Sequence, residues 1–149
     1  MAVLIPALGS VTGRMTPGER RLAERLERKL DADYLLWYDV PIGPKQAHPD
    51  FVVLHPSRGL LVLEVKDWRI DTLRRANRND WTIAPDGIPV TVPNPLEQAR
   101  QYAHQVADAL KHDAQLVEQE GRHQGRLCLP WSYGVVFPNI RRQQFEAAS

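Results

Sequence analysis

The chain has 149 residues, the size of one domain with one core, and its 43% hydrophobic and 25% charged content excludes a disordered polymer. Nineteen Lys and Arg against eighteen Asp and Glu leave +1, so net charge neither demands nor excludes a polyanionic partner, and only a local patch can mark one. The lone Cys128 excludes a disulfide framework or a cysteine-rich zinc site and fits a reducing cytosol, and no apolar run approaches the ~18 residues of a membrane span.

"MAVLIPALGS" lacks the basic lead of a signal peptide and reads as a strand or arm packed on the domain. "TPGERRLAERLERKLD" predicts an amphipathic helix: Thr16 is the N-cap, Pro17 takes the first helical position, and Leu22, Leu26 and Leu30 recur every four residues. Glu19 also completes a capping box with Thr16. "YLLWYDV" (34–40) reads as a strand closed by the loop "PIGPKQAHP". "DFVVLH" (50–55) and "LLVLEVKDW" (60–68) read as strands of a hairpin turning at "PSRG". Residues 69–93 predict a short irregular antiparallel hairpin, 81–84 with 88–92. "NPLEQARQYAHQVADALKHDAQLVEQ" predicts a second helix, capped by Asn94 with Pro95 at the first position and Glu97 completing a capping box. "WSYGVVFP" (131–138) is the last strand, and the order of elements indicates a mixed α/β layer fold.

Glu64 and Lys66 stand out because charged side chains are seldom buried in a run of Leu and Val unless they are paired or bind something. Two apart on a strand, they share a face, at the strand end where an α/β sheet commonly opens into a ligand crevice. The partner strand starts at Asp50, and its register matters. A three-residue loop with Gly59 in the left-handed region pairs Pro56 with Leu60; Val52 then faces Glu64, Asp50 faces Lys66, and the two acids are same-face diagonal neighbours roughly 7–8 Å apart. A four-residue loop pairs His55 with Leu60 and sends Asp50 to the opposite face. Two carboxylates and an ammonium on one face suit metal-assisted phosphodiester hydrolysis, with Mg²⁺ or Mn²⁺ on the hard oxygens. A solvated ion pair at a strand end, worth little, accounts for the same residues. Spacing alone leaves both readings open.

"PD", thirteen intervening residues and "EVK" resemble the PD-(D/E)XK nuclease superfamily. More specifically, "PGER", "PDFVVLHPSRGLLVLEVKDW" and "NPLEQARQYAHQV" resemble, over roughly residues 16–110, the NERD (nuclease-related) domain. The resemblance implies a restriction-endonuclease-like fold, a mixed central β-sheet flanked by helices, and metal-dependent DNA hydrolysis in DNA processing or repair in the cytoplasm. Carried over, Asp50 and Glu64 are metal ligands, the backbone carbonyl of Val65 adds a third, and Lys66 is the catalytic lysine. Glu19 matches a first-helix acid that reaches the metal directly or through water. Gln98 and Tyr102 in "QARQY" match a Gln-x-x-x-Tyr element that organises the active site and DNA. Asp67 departs from the Asn usual after the lysine, adding negative charge near the site.

Arg69, Arg74 and Arg75, directly after the strand, are candidate phosphate contacts, diluted by Asp71 and Asp80. Residues 1–149 are expected to form one domain, the N-terminal part of a longer chain in which a helicase module is a candidate partner. The competing expectation is a catalytically silent nuclease fold that binds DNA or a partner and targets an attached domain.

Overall fold

The computed structural model describes residues 1–148. In chain order its elements are β1 (Val3–Ile5), α1 (Leu8–Val11), α2 (Pro17–Lys29), β2 (Leu35–Tyr38), β3 (Phe51–His55) and β4 (Gly59–Val65). They continue with β5 (Leu73–Ala76), β6 (Asp80–Ile83), β7 (Val90–Pro93), α3 (Pro95–Leu110), β8 (Trp131–Val136) and α4 (Arg142–Ala148). The central sheet is mixed, with strand order β1-β2-β3-β4-β8. Its middle three strands are antiparallel, and β1 and β8 join the two sides in parallel. β5, β6 and β7 form a second, antiparallel sheet. This is the mixed α/β sheet flanked by helices that the sequence predicts, and among the described residues no helix is long and apolar enough to cross a membrane.

Both faces of the central sheet are covered, which is why β3 and β4 read as nearly continuous apolar runs. Phe51, Val53 and Val65 pack with Leu36 and Ala23 on the α2 side. Val52, Leu60 and Val62 pack with Ala103 and Val106 of α3 on the other. Complete burial of Leu36, Phe51 and Val62 stabilises the fold by about 1.5–3 kcal/mol each.

Helix α2 begins as predicted: the Thr16 hydroxyl accepts the Glu19 N–H at 3.1 Å and the Glu19 carboxylate accepts the Thr16 N–H at 2.9 Å. At α3 the Asn94 side chain caps Leu96 N–H at 2.9 Å, but Glu97 holds Arg100 instead of completing a box. α3 ends at Leu110, well short of the predicted helix, because Asp113 caps the N–H of Gln115 and starts a separate 3₁₀ turn, Ala114–Leu116.

Two strand predictions need correction. The hairpin register is His55 with Gly59 and Val52 with Val62, not Pro56 with Leu60 and Val52 with Glu64. Gly59 has φ +93°, and a Cβ there would lie 2.1 Å from the Pro130 carbonyl oxygen, so this backbone contact draws glycine into the ladder and leaves Pro56, Ser57 and Arg58 as the loop. β4 also stops at Val65, not Trp68: Lys66 N–H still bonds Val136 O at 3.0 Å, and Asp67 then turns away. In the second sheet, β6 and β7 are the predicted hairpin, and β5 adds a third strand that the sequence reading does not contain. "LRRA" shows no buried alternation, and its edge pairing comes from the tertiary fold. Trp68 and Trp81, with ring centroids 6.0 Å apart, pack with Phe137 and tie this sheet to the main one.

Candidate active site

The ladder between β3 and β4 ends at Phe51 opposite Leu63, and one further step along the same register sets Asp50 across from Glu64. Because β3 does not extend past Phe51, Val65 N–H lacks a strand partner there; the Asp50 carboxylate takes that place, accepting the bond at 2.8 Å. Asp50 is itself held by its carbonyl, which accepts the Asp39 N–H at 3.1 Å. N–H and C=O of one extended residue point to the same side, so the Val65 carbonyl opens toward the Asp50 edge.

Glu64 is 2% exposed, and its Oε1 has no hydrogen-bond partner among the described residues. Burial, then the adjoining Asp50 carboxylate, pushes its carboxyl up to about 9, against the pull of Lys66. A buried carboxylate with an orphaned oxygen needs either a proton or a cation. Lys66 is half-buried, with Nζ 5.7 Å from the centre of the Trp68 ring, and forms no salt bridge within 4.0 Å among the described residues. Its ammonium is therefore not committed to a carboxylate.

Glu19, 8% exposed, both caps α2 and faces Asp50. Burial raises its carboxyl above the usual range, with the Asp50 charge adding to the rise. The Tyr38 hydroxyl donates to Glu19 Oε1 at 2.9 Å; burial and Glu19 hold that phenol well above its ordinary range, so it remains a donor. Tyr38 is a site residue that the sequence reading missed, hidden in an apolar strand as one more core aromatic.

Asp67 turns out to organise the site. Its Oδ1 accepts from the Thr16 hydroxyl at 2.9 Å and its Oδ2 from Gly18 N–H at 2.8 Å, so the residue after Lys66 docks on the N-terminus of α2. Gly18 permits this approach, since a Cβ there would lie 2.5 Å from Asp67 Oδ1. The clamp fixes Glu19 relative to Glu64 and Lys66. Asp67→Ala is expected to cost about 1–3 kcal/mol in urea unfolding, and Asp67→Asn, which keeps one acceptor, less. Unchanged stability in both would show that the clamp holds nothing.

Gln98 and Tyr102 lie on α3; Tyr102 packs beside Ala103 and Val106 against the sheet, and neither side chain makes a hydrogen bond among the described residues. Arg69 pairs weakly with Asp71 at 3.7 Å between exposed side chains. Arg74 donates to the Asp71 carbonyl, and Arg75 stands exposed beside it on β5. The second sheet thus carries Arg74 and Arg75. Among the described residues the donors brought within 4.8 Å of one another are Asp31, Asp33 and His55, at the other end of β3, while Glu19, Asp50 and Glu64 form no such mutual trio. That outer group is exposed or half-buried, and His55 Nδ1 accepts the Ser57 N–H at 3.1 Å.

A family model described as nuclease-related domain (NERD) matches residues 15–138, which takes in every element from α2 to β8. No curated protein and no solved structure matches the chain.

Proposed function

The chain belongs to the nuclease-related domain family, and from that premise we propose that it hydrolyses DNA phosphodiester bonds with Mg²⁺ or Mn²⁺. Glu64 carries the reading: a buried carboxylate beside Asp50, with one oxygen unpartnered among the described residues, has the charge and the free oxygen that a divalent cation takes when it replaces the proton. Asp50, Glu64 and the Val65 carbonyl are the set that would hold the ion, all hard oxygens. Such an ion, when bound, polarises the phosphate and lowers the pKa of a coordinated water.

The chain's own groups do the rest. Lys66, uncommitted to a carboxylate, holds a non-bridging phosphate oxygen and offsets the negative charge that builds up during attack. Glu19, steadied by Tyr38 and the Asp67 clamp, orients water around the cation site. Gln98 and Tyr102 border the DNA, and Arg69, Arg74 and Arg75 meet its backbone. We place the activity in DNA processing or repair in the cytoplasm, with a helicase module in the same polypeptide as its partner.

The test is cleavage of labelled linear, nicked and single-stranded DNA in Mg²⁺, Mn²⁺ and EDTA. Cutting is expected with either ion and not in EDTA. Binding without cutting under all conditions would instead mark a silent module that targets an attached domain.

A further inference from the structure

Three segments bring arginines to one surface. On α2, Arg21, Arg25 and Arg28 recur at helical spacing, rising about 10 Å along the axis, and all are exposed. Arg69 comes from the exit of β4 and Arg141 from the start of α4. Arg21, Arg69 and Arg141 line one groove of about 620 Å³ together with Asn139 and Gln144, and no carboxylate lines it among the described residues. Arg21 also borders a second groove of about 360 Å³, which continues along α2 past Arg25 and Arg28. The one acid lining it among the described residues, Glu24, is held by Arg20 at 3.2 Å. Of the five arginines, only Arg69 has a carboxylate within 4.0 Å among the described residues, and that pair is exposed.

The stripe is wired to the site. Arg21 Nη1 donates to Asn139 Oδ1 at 3.2 Å, and Asn139 Nδ2 donates to the Asp67 carbonyl at 2.7 Å, one residue beyond Lys66. Guanidiniums in a polar groove, four of the five without a carboxylate within 4.0 Å among the described residues, suit phosphate oxygens, which they grip as a planar fork. A run of about 10 Å matches about three nucleotides at ~3.4 Å rise per strand. Asn139 and Gln144 supply neutral donors and acceptors, so the lining tracks a backbone and reads no particular base.

We infer that this groove, from Arg28 through Arg21 to Arg141 and Arg69, binds the sugar–phosphate backbone of a nucleic-acid strand leading away from the acidic cluster. The inference rests on the nuclease reading for its choice of ligand. It adds a second surface to that reading: this stretch of backbone follows α2 and the start of α4, beyond the Arg74 and Arg75 contacts of β5.

Binding of a short labelled single-stranded DNA and of its duplex is measured in EDTA across a salt series, while cleavage is followed separately in Mn²⁺. The slope of log affinity against log salt is expected to shrink by about 0.7 to 0.9 for each phosphate contact removed. Arg21→Gln/Arg141→Gln and Arg25→Gln/Arg28→Gln should each lower it, and Arg21→Lys, which keeps the charge, should not. Arg122→Gln/Arg126→Gln, on the connection entering the opposite end of β8, controls for bulk charge and should leave the slope alone. Unchanged slopes in both groove variants, an equal fall in the control, or no binding by the parent would overturn the inference. A parent that binds through these arginines yet never cuts leaves the groove standing and removes the nuclease reading. A parent that cuts, with groove variants that bind and cut alike, does the reverse.

Discussion

Lys66→Ala and Glu64→Gln are each expected to lower Mg²⁺- or Mn²⁺-dependent DNA cleavage by on the order of 100- to 1,000-fold while the protein stays folded. Lys66 should be the cleaner of the two. Its Nζ makes no salt bridge among the described residues, and its contact with the Trp68 ring at 5.7 Å is worth about 0.5–1 kcal/mol. Glu64→Gln keeps the volume of a buried side chain but replaces one anionic oxygen with an amide that repels a cation. Asp50→Ala is a poorer probe, because it also strips the acceptor from Val65 N–H and so unsettles the end of β4. Circular dichroism and urea unfolding separate loss of chemistry from loss of fold. If both variants cut as fast as the parent, the trio has no part in the reaction and the enzyme reading fails.

The second large effect concerns protons. Glu64 titrates near 4.5 when unfolded and near 9 when folded, so between those values the folded chain keeps a proton that the unfolded chain has released. Unfolding then releases a proton, and rising pH favours it. The contribution is fully present below about 4.5 and gone above about 9. Glu19, also raised, acts in the same direction. In EDTA the protein should therefore lose on the order of a few kcal/mol of stability between the acid and alkaline ends of this window. Glu64→Gln should flatten the profile and be the more stable protein at its alkaline end. Mn²⁺ replaces the proton, so the stabilisation it provides should grow with pH. Denaturation midpoints measured across the window, with EDTA and with Mn²⁺, decide this. A flat profile in the parent, or an identical slope in Glu64→Gln, would mean that Glu64 is not buried beside Asp50 as described.

Some of this architecture is written in neighbouring residues. Thr16, Pro17 and Glu19 start α2, and Asn94 and Pro95 start α3, because capping is settled within a single turn of chain. Alternation of side chains along β3 and β4 likewise kept Asp50 and Glu64 on one face although the predicted register was off: the slip was by a whole pleat repeat, and only an odd slip exchanges faces. The order of PGER, PD and EVK along the chain is likewise legible without the fold, and it belongs to the family whose model matches residues 15–138.

What local pattern could not carry was every contact made with distant chain. Pro130 decides where Gly59 sits and hence the hairpin register. Tyr38 becomes the partner of Glu19 only when β2 lies beside α2. Asp67, a mere substitution in the motif, becomes a clamp once Gly18 is brought to it, and the arginines of α2 become a groove only when Asn139 and Arg141 close over them. Hydrogen-bonding propensity and periodicity act over a few residues and are legible in order along the chain. Burial and charge act through space, and space is set by how the sheet and its helices pack.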